Sequence, residues 1–133
     1  MSNIVRTDEP SEAKIDTIRR LQAALQQKDL PGFLSFFDPD VEYHYHVGTR
    51  PLIGIAWVEK FMLKYWRNNR DAVWIIDRHA EAGDFLFSEG REEYLNADGH
   101  KVSHPYMGVI EFREGKIVAW RDYFQMNDPN AGK

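Results

Sequence analysis

The chain contains no cysteine among its 133 residues, which excludes a disulfide framework, a thiolate metal site and a cysteine nucleophile together. It also lacks an excess of basic charge: 17 Lys and Arg stand against 21 Asp and Glu, for a net charge of -4. A surface that tracks phosphates needs the opposite balance, so nucleic acid is not an expected partner. Nowhere do eighteen uncharged apolar residues run together, so no membrane contact through a spanning helix is expected. The opening stretch Met1 to Pro10 is polar and acidic, reads as a flexible tail, and has no apolar core of a secretory signal. Together these absences point to a soluble, cytoplasmic protein. Phosphate loops, dinucleotide fingerprints and nucleophile elbows are missing too, so no organic cofactor is implied.

What the chain has in surplus is aromatic side chains, 14% of its residues, more than a small core needs and enough to line a cavity as well. From Ser11 onward Ile15, Ile18, Leu21, Ala24 and Leu25 recur at three- and four-residue steps and predict an amphipathic helix that closes at Lys28. Leu30, Phe33, Leu34 and Phe37 extend the spacing into a second, short helix, with Pro31 in its first turn and Asp38-Pro39-Asp40 as its end. Val41 to Val47 alternates as a strand with Val41, Tyr43, Tyr45 and Val47 on one face. Helical spacing returns between Gly54 and Asn69. Ala72 to Ala80, Asp84 to Leu95, Lys101 to Phe112 and Lys116 to Phe124 then read as strands, the last three joined by turns at Asn96-Ala97-Asp98-Gly99 and Arg113-Glu114-Gly115. Three helices followed by an antiparallel meander describe an α+β fold. A sheet bent around those helices would enclose a pocket.

Polar residues on the strands are the candidates for chemistry. Phe85, Phe87, Glu89, Arg91, Glu93 and Leu95 share one face, which sets Arg91 and Glu93 side by side, either as a surface ion pair or as part of the pocket. Glu92 falls on the opposite face. Val118, Trp120, Asp122 and Phe124 share a face of the last strand, so Asp122 is a carboxylate among large apolar groups. Either that face is solvated, or Asp122 has a partner such as Arg91, because an isolated buried carboxylate is costly. A desolvated carboxylate held by a cation suits general-base work. His104 and Tyr106 alternate with Gly108 and Ile110, each a donor or proton carrier for the same pocket. His44 and His46 form an i, i+2 pair near Glu42, but Tyr43 and Tyr45 read as the pocket lining. The two histidines then face outward or into a subunit contact, and no metal is expected.

The segments FLSFFDPDVEYHYH, PLIGIAWVEKF and the terminal hairpin GVIEFREGKIVAWRDYF carry a resemblance. On them the sequence resembles the nuclear transport factor two-like superfamily, in its SnoaL-like and limonene epoxide hydrolase-like branch, over nearly the whole chain. The resemblance implies a single domain over 1–133, built as a cone-shaped barrel of a curved, mixed, mostly antiparallel sheet wrapped around three N-terminal helices. It also implies a deep apolar pocket for a small hydrophobic molecule, and a homodimer. Isomerases, polyketide cyclases, dehydratases and epoxide hydrolases occur in the branch, beside domains that only bind. Carried over by position, Asp122 is the base that activates water, Arg91 the cation bridging two carboxylates, Glu93 the second carboxyl group and Tyr43 a holder of the water. Two positions depart from the hydrolase pattern, Glu93 where an aspartate stands and Tyr45 where an asparagine stands. His104 and Tyr106 replace apolar residues, which shifts weight toward isomerase, cyclase or dehydratase chemistry. Tyr45, His104, Tyr106, Trp120, Phe124 and Leu95 complete the expected substrate-binding set. The rival expectation is a binding domain in which Arg91, Glu93 and Asp122 form a structural salt-bridge cluster.

Overall fold

In the computed structural model, which describes residues 13–123, the first periodic apolar residues form α1 (Lys14–Gln26). Its buried face carries Ile15, Ile18, Leu21, Ala24 and Leu25. The expected tail and Phe124 lie outside the described residues. A second helix, α2 (Leu30–Leu34), is capped by Asp29, whose carboxylate accepts from the Gly32 N–H at 3.0 Å. It ends earlier than the apolar spacing predicts. Phe37 instead opens β1 (Phe37–His44), because its backbone pairs in parallel with Ile117. Asp38-Pro39-Asp40 therefore lies inside a strand, at an irregularity between Phe37 and Glu42 where the missing N–H of Pro39 costs no ladder bond.

A short β2 (Leu52–Ile53) precedes α3 (Ile55–Asn68), which buries Val58, Met62 and Trp66. The meander follows as β3 (Arg70–Ala82), β4 (Phe85–Leu95), β5 (Lys101–Arg113) and β6 (Lys116–Tyr123). The six strands form one sheet in the order β2-β1-β6-β5-β4-β3, with β1 and β6 parallel and every other neighbour antiparallel.

Ring contacts show that the sheet is curled. Trp74 on β3 and Trp120 on β6 are three strand spacings apart, about 14 Å on a flat sheet, yet their ring centroids are 5.7 Å apart. The helices fill the concave side. Phe33 of α2 is fully buried there, edge-on to Trp66 and Trp74, and the Trp66 indole N–H donates to the Leu25 carbonyl at 3.2 Å, tying α3 to α1. Among the described residues no helix is long and apolar enough to cross a membrane.

Candidate active site

The inward face of the curled sheet is fixed by alternation. On β4, Leu86 and Ser88 are buried while Phe85 and Phe87 are exposed, so the inward series is Leu86, Ser88, Gly90, Glu92 and Tyr94. Pairing carries the face across the sheet: Glu92 lies opposite His104, Gly90 opposite Tyr106 and Ser88 opposite Gly108. Gly108 in turn lies opposite Asp122, Ile110 opposite Trp120, and Trp120 opposite Tyr43. Residues directly opposite share a face, so these side chains converge. They line a cavity of about 120 Å³, to which Ile18 and Gln22 of α1 and Phe61 and Tyr65 of α3 add the helical wall. A cavity of roughly 150 Å³ holds a benzene, which sets the scale of the occupant.

Two carboxyl groups reach this space. Asp122 is half-buried as a residue, but its Oδ1 is sealed from solvent and makes no hydrogen bond. Desolvation pushes its pKa from 3.8 up to about 8, the dipole of the nearby Trp120 indole N–H offsets part of the rise without reaching hydrogen-bond geometry, and the negative charge of Glu92 adds to it. That indole nitrogen, also sealed, makes no hydrogen bond. Glu92, by contrast, is well held. It accepts a hydrogen bond from the Tyr65 hydroxyl, and the Nε2 of His104 stands 3.3 Å from its other oxygen. The Trp74 indole N–H donates to the Tyr65 oxygen at 2.9 Å, which completes a chain from Trp74 through Tyr65 and Glu92 to His104.

The tyrosines around these carboxyl groups are held neutral. Burial first, and then the charges of Asp122 and Glu92, raise the pKa of Tyr43. Burial and Glu92 raise that of Tyr65, and burial pushes Tyr106 up to about 12. Each keeps an O–H to donate at any physiological pH. Asp122 is likewise held mainly in its protonated form at neutral pH.

The structure thus brings together Asp122, Tyr43, Tyr45, His104, Tyr106 and Trp120 from the expected set. It does not bring Arg91, Glu93 or Leu95 to them. Arg91 points to the outer face, where its guanidinium bonds both oxygens of Asp77 at 3.4 Å and Glu93 at 3.0 Å. Glu93 is further held by Ser103 at 3.3 Å and lies 3.9 Å from Lys101. The Arg91 and Glu93 pair exists, but as a surface network with no link to Asp122. This corrects both the bridged carboxylate pair and the three-residue structural cluster. The cause is strand phase, since one residue of slip exchanges the faces. Leu95 pairs with Arg70 and Lys101 at the end of its strand and does not line the cavity. Glu92, Tyr65 and Trp74 are the participants that the sequence analysis missed. On β1, His44 sits outside the cavity with its Nε2 3.0 Å from Glu42.

The curled α+β fold, with an acid-lined cavity on its concave side, defines a cone-shaped domain. The SnoaL-like domain model matches residues 18–120, and the chain belongs to that family. Among solved structures it is similar to an LEH-like epoxide hydrolase of M. tuberculosis, with 23% identity and a TM-score of 0.75, covering 86% of this chain and 84% of that one. A protein of ketosteroid isomerase-like fold from Catenulispora acidiphila, solved in complex with trimethylamine, gives a TM-score of 0.77 at 14% identity over 86% and 88% of the two chains. An NTF2-like protein of unknown function from Burkholderia pseudomallei gives 0.75 at 22% identity over 84% and 89%. No curated protein matches the chain. At these identities the likeness is one of fold.

Proposed function

We propose that the chain is a cofactor-free acid/base enzyme acting on a small hydrophobic, oxygenated molecule, by isomerase, cyclase, dehydratase or epoxide hydrolase chemistry. The observation that carries this is Asp122, a carboxyl group sealed in an aromatic cavity with an unpartnered oxygen and a pKa of about 8. A structural carboxylate would be paired. An unpaired one retained at such cost is suited to moving a proton near neutrality. Asp122 gives its proton to a substrate oxygen, while the Glu92 and His104 pair takes one from the substrate or from water, and the reverse transfers restore both. Tyr43 and Tyr106 donate hydrogen bonds to charge that develops on that oxygen. The cavity volume gives the part of the substrate held inside it roughly the scale of a benzene ring.

The test is turnover of small enones and epoxides over a pH series, with an expected break in kcat/KM near pH 8. Glu92→Gln removes half of the accepting pair, and with it most of the turnover, and also a charge that raises the Asp122 pKa, so the break in the residual kcat/KM should move to lower pH. A profile without any break in this region would remove Asp122 from the chemistry. Gly108→Ala provides a second check. A Cβ there would lie 2.8 Å from Asp122 Oδ1, the movable end of a side chain. The fold should hold, with a melting temperature within about 4 °C of the parent, while displacement of the carboxyl group lowers kcat by about a hundredfold.

A further inference from the structure

We infer that the cavity binds small organic amines as ammonium ions, held between aromatic ring faces and the carboxyl group of Asp122. The walls are the first support. Tyr45, Phe61, Tyr65, Trp74, Tyr106 and Trp120 all line the cavity, and an aromatic lining attracts a desolvated cation that meets a ring face. The second support is charge. No Lys or Arg lines the cavity among the described residues, whereas Glu92 and Asp122 both do. An anionic ligand would meet Glu92 with only His104, already turned to that carboxylate, to offset it, and a cation would meet both carboxyl groups. The third is the sealed Asp122 Oδ1, which has no donor of its own and to which an ammonium N–H would supply one. Around Asp122 stand Tyr43 from β1, Trp120 on its own strand, Tyr106 from β5 and Glu92 from β4, with His104 beyond Glu92. Only His104 among these can offer a competing positive charge, and it faces Glu92.

An ammonium ion favours the ionised form of Asp122, whereas a neutral carbonyl ligand favours the protonated form that donates to it. The sign of the pH dependence therefore separates the two ligand classes, and it does so without turnover. N-methylpyrrolidine and cyclopentanone have the same number of heavy atoms, and the amine stays protonated well above pH 8. Calorimetric titration of the full chain with each is expected to show the amine binding about tenfold or more tightly at pH 9 than at pH 6, and the ketone weakening. Asp122→Asn, checked by circular dichroism for a native fold, should leave the amine affinity low and flat across that range, which controls for His104. Amine affinity that is flat or falls with pH in the parent, or no amine binding at all, overturns the inference. Amine binding with the expected slope alongside a silent turnover panel would leave the inference standing and remove the enzymatic function. Turnover broken near pH 8 without amine binding would do the reverse.

Discussion

Asp122→Asn is expected to lower turnover by about a thousandfold and, at neutral pH, to make the protein more stable. The two effects share one cause. Asp122 has a pKa of about 8 in the fold against 3.8 for the unperturbed group, so between these values the native state binds a proton that the unfolded state has released. Stability contributed by the protonated carboxyl group is complete below about pH 4 and is lost progressively as pH rises through 8. Asparagine does not titrate. The variant should therefore match the parent most closely at low pH and exceed it increasingly up to pH 8, above which the difference levels off. Its ceiling is on the order of 5 kcal/mol, and half of that would still be a large fraction of an ordinary domain's stability. Urea denaturation of both proteins across the pH series measures the slope directly. A gap that stays constant with pH would show that Asp122 is not held in its neutral form. Lost turnover combined with gained stability distinguishes a group retained for chemistry from one retained for structure.

The same residue shows where sequence could be read and where it could not. Asp122 between Trp120 and a further aromatic was legible as an inward carboxyl group, and the long helices and the meander followed from spacing alone. The β4 phase was not legible from β4 itself. Phe85 and Phe87 are the most apolar residues of that strand's start, and the natural inference places them inside, yet they are 36% and 40% exposed. Their alternates, Ser88 and Gly90, are small and give no hydrophobic signal. The information lay in the turn. With Leu95 opposite Lys101 across Asn96 to Gly99, counting back sets Glu92 against His104 and Arg91 against Pro105. His104 and Arg91 therefore cannot both face the cavity, and choosing His104 identifies Glu92. The end of α2 was lost for another reason, since Phe37 joins a parallel ladder with Ile117, a contact distant in sequence that local spacing cannot express. Tyr65 and Trp74 lie in segments legible only as a helix and a strand, and no spacing in the sequence ties either to Glu92.

Gly90→Ala is expected to destabilise the fold by about 3 kcal/mol or more, the largest effect of any single methyl group added here. A Cβ at this position would fall 1.8 Å from the Ile75 carbonyl oxygen, 2.8 Å from its carbon and 3.0 Å from the Ile76 Cα. All three are backbone atoms, so no rotamer change relieves the clash. The cause is the curl itself. Gly90 pairs with Ile76 beside the register shift between Ile76 and Arg78, where β3 bends sharply over β4, and only a residue without a side chain lets the two backbones close. Gly115→Ala is the contrast: its φ of +80° strains an alanine, but nothing lies within 4 Å, so the cost should be about 1 kcal/mol with the cavity untouched. Gly90→Ala should also release the site, because Glu92 lies two residues further on the same face and meets Tyr65 and His104 only if β4 keeps its curve. Chemical denaturation of the two variants beside the parent, with near-ultraviolet circular dichroism on the tryptophan and tyrosine cluster, reads both consequences. A Gly90→Ala protein that unfolds at the parent's urea concentration, with an unchanged aromatic signal, would mean that the strand crossing is looser than the 1.8 Å approach requires, and that the inward placement of Glu92 does not depend on it.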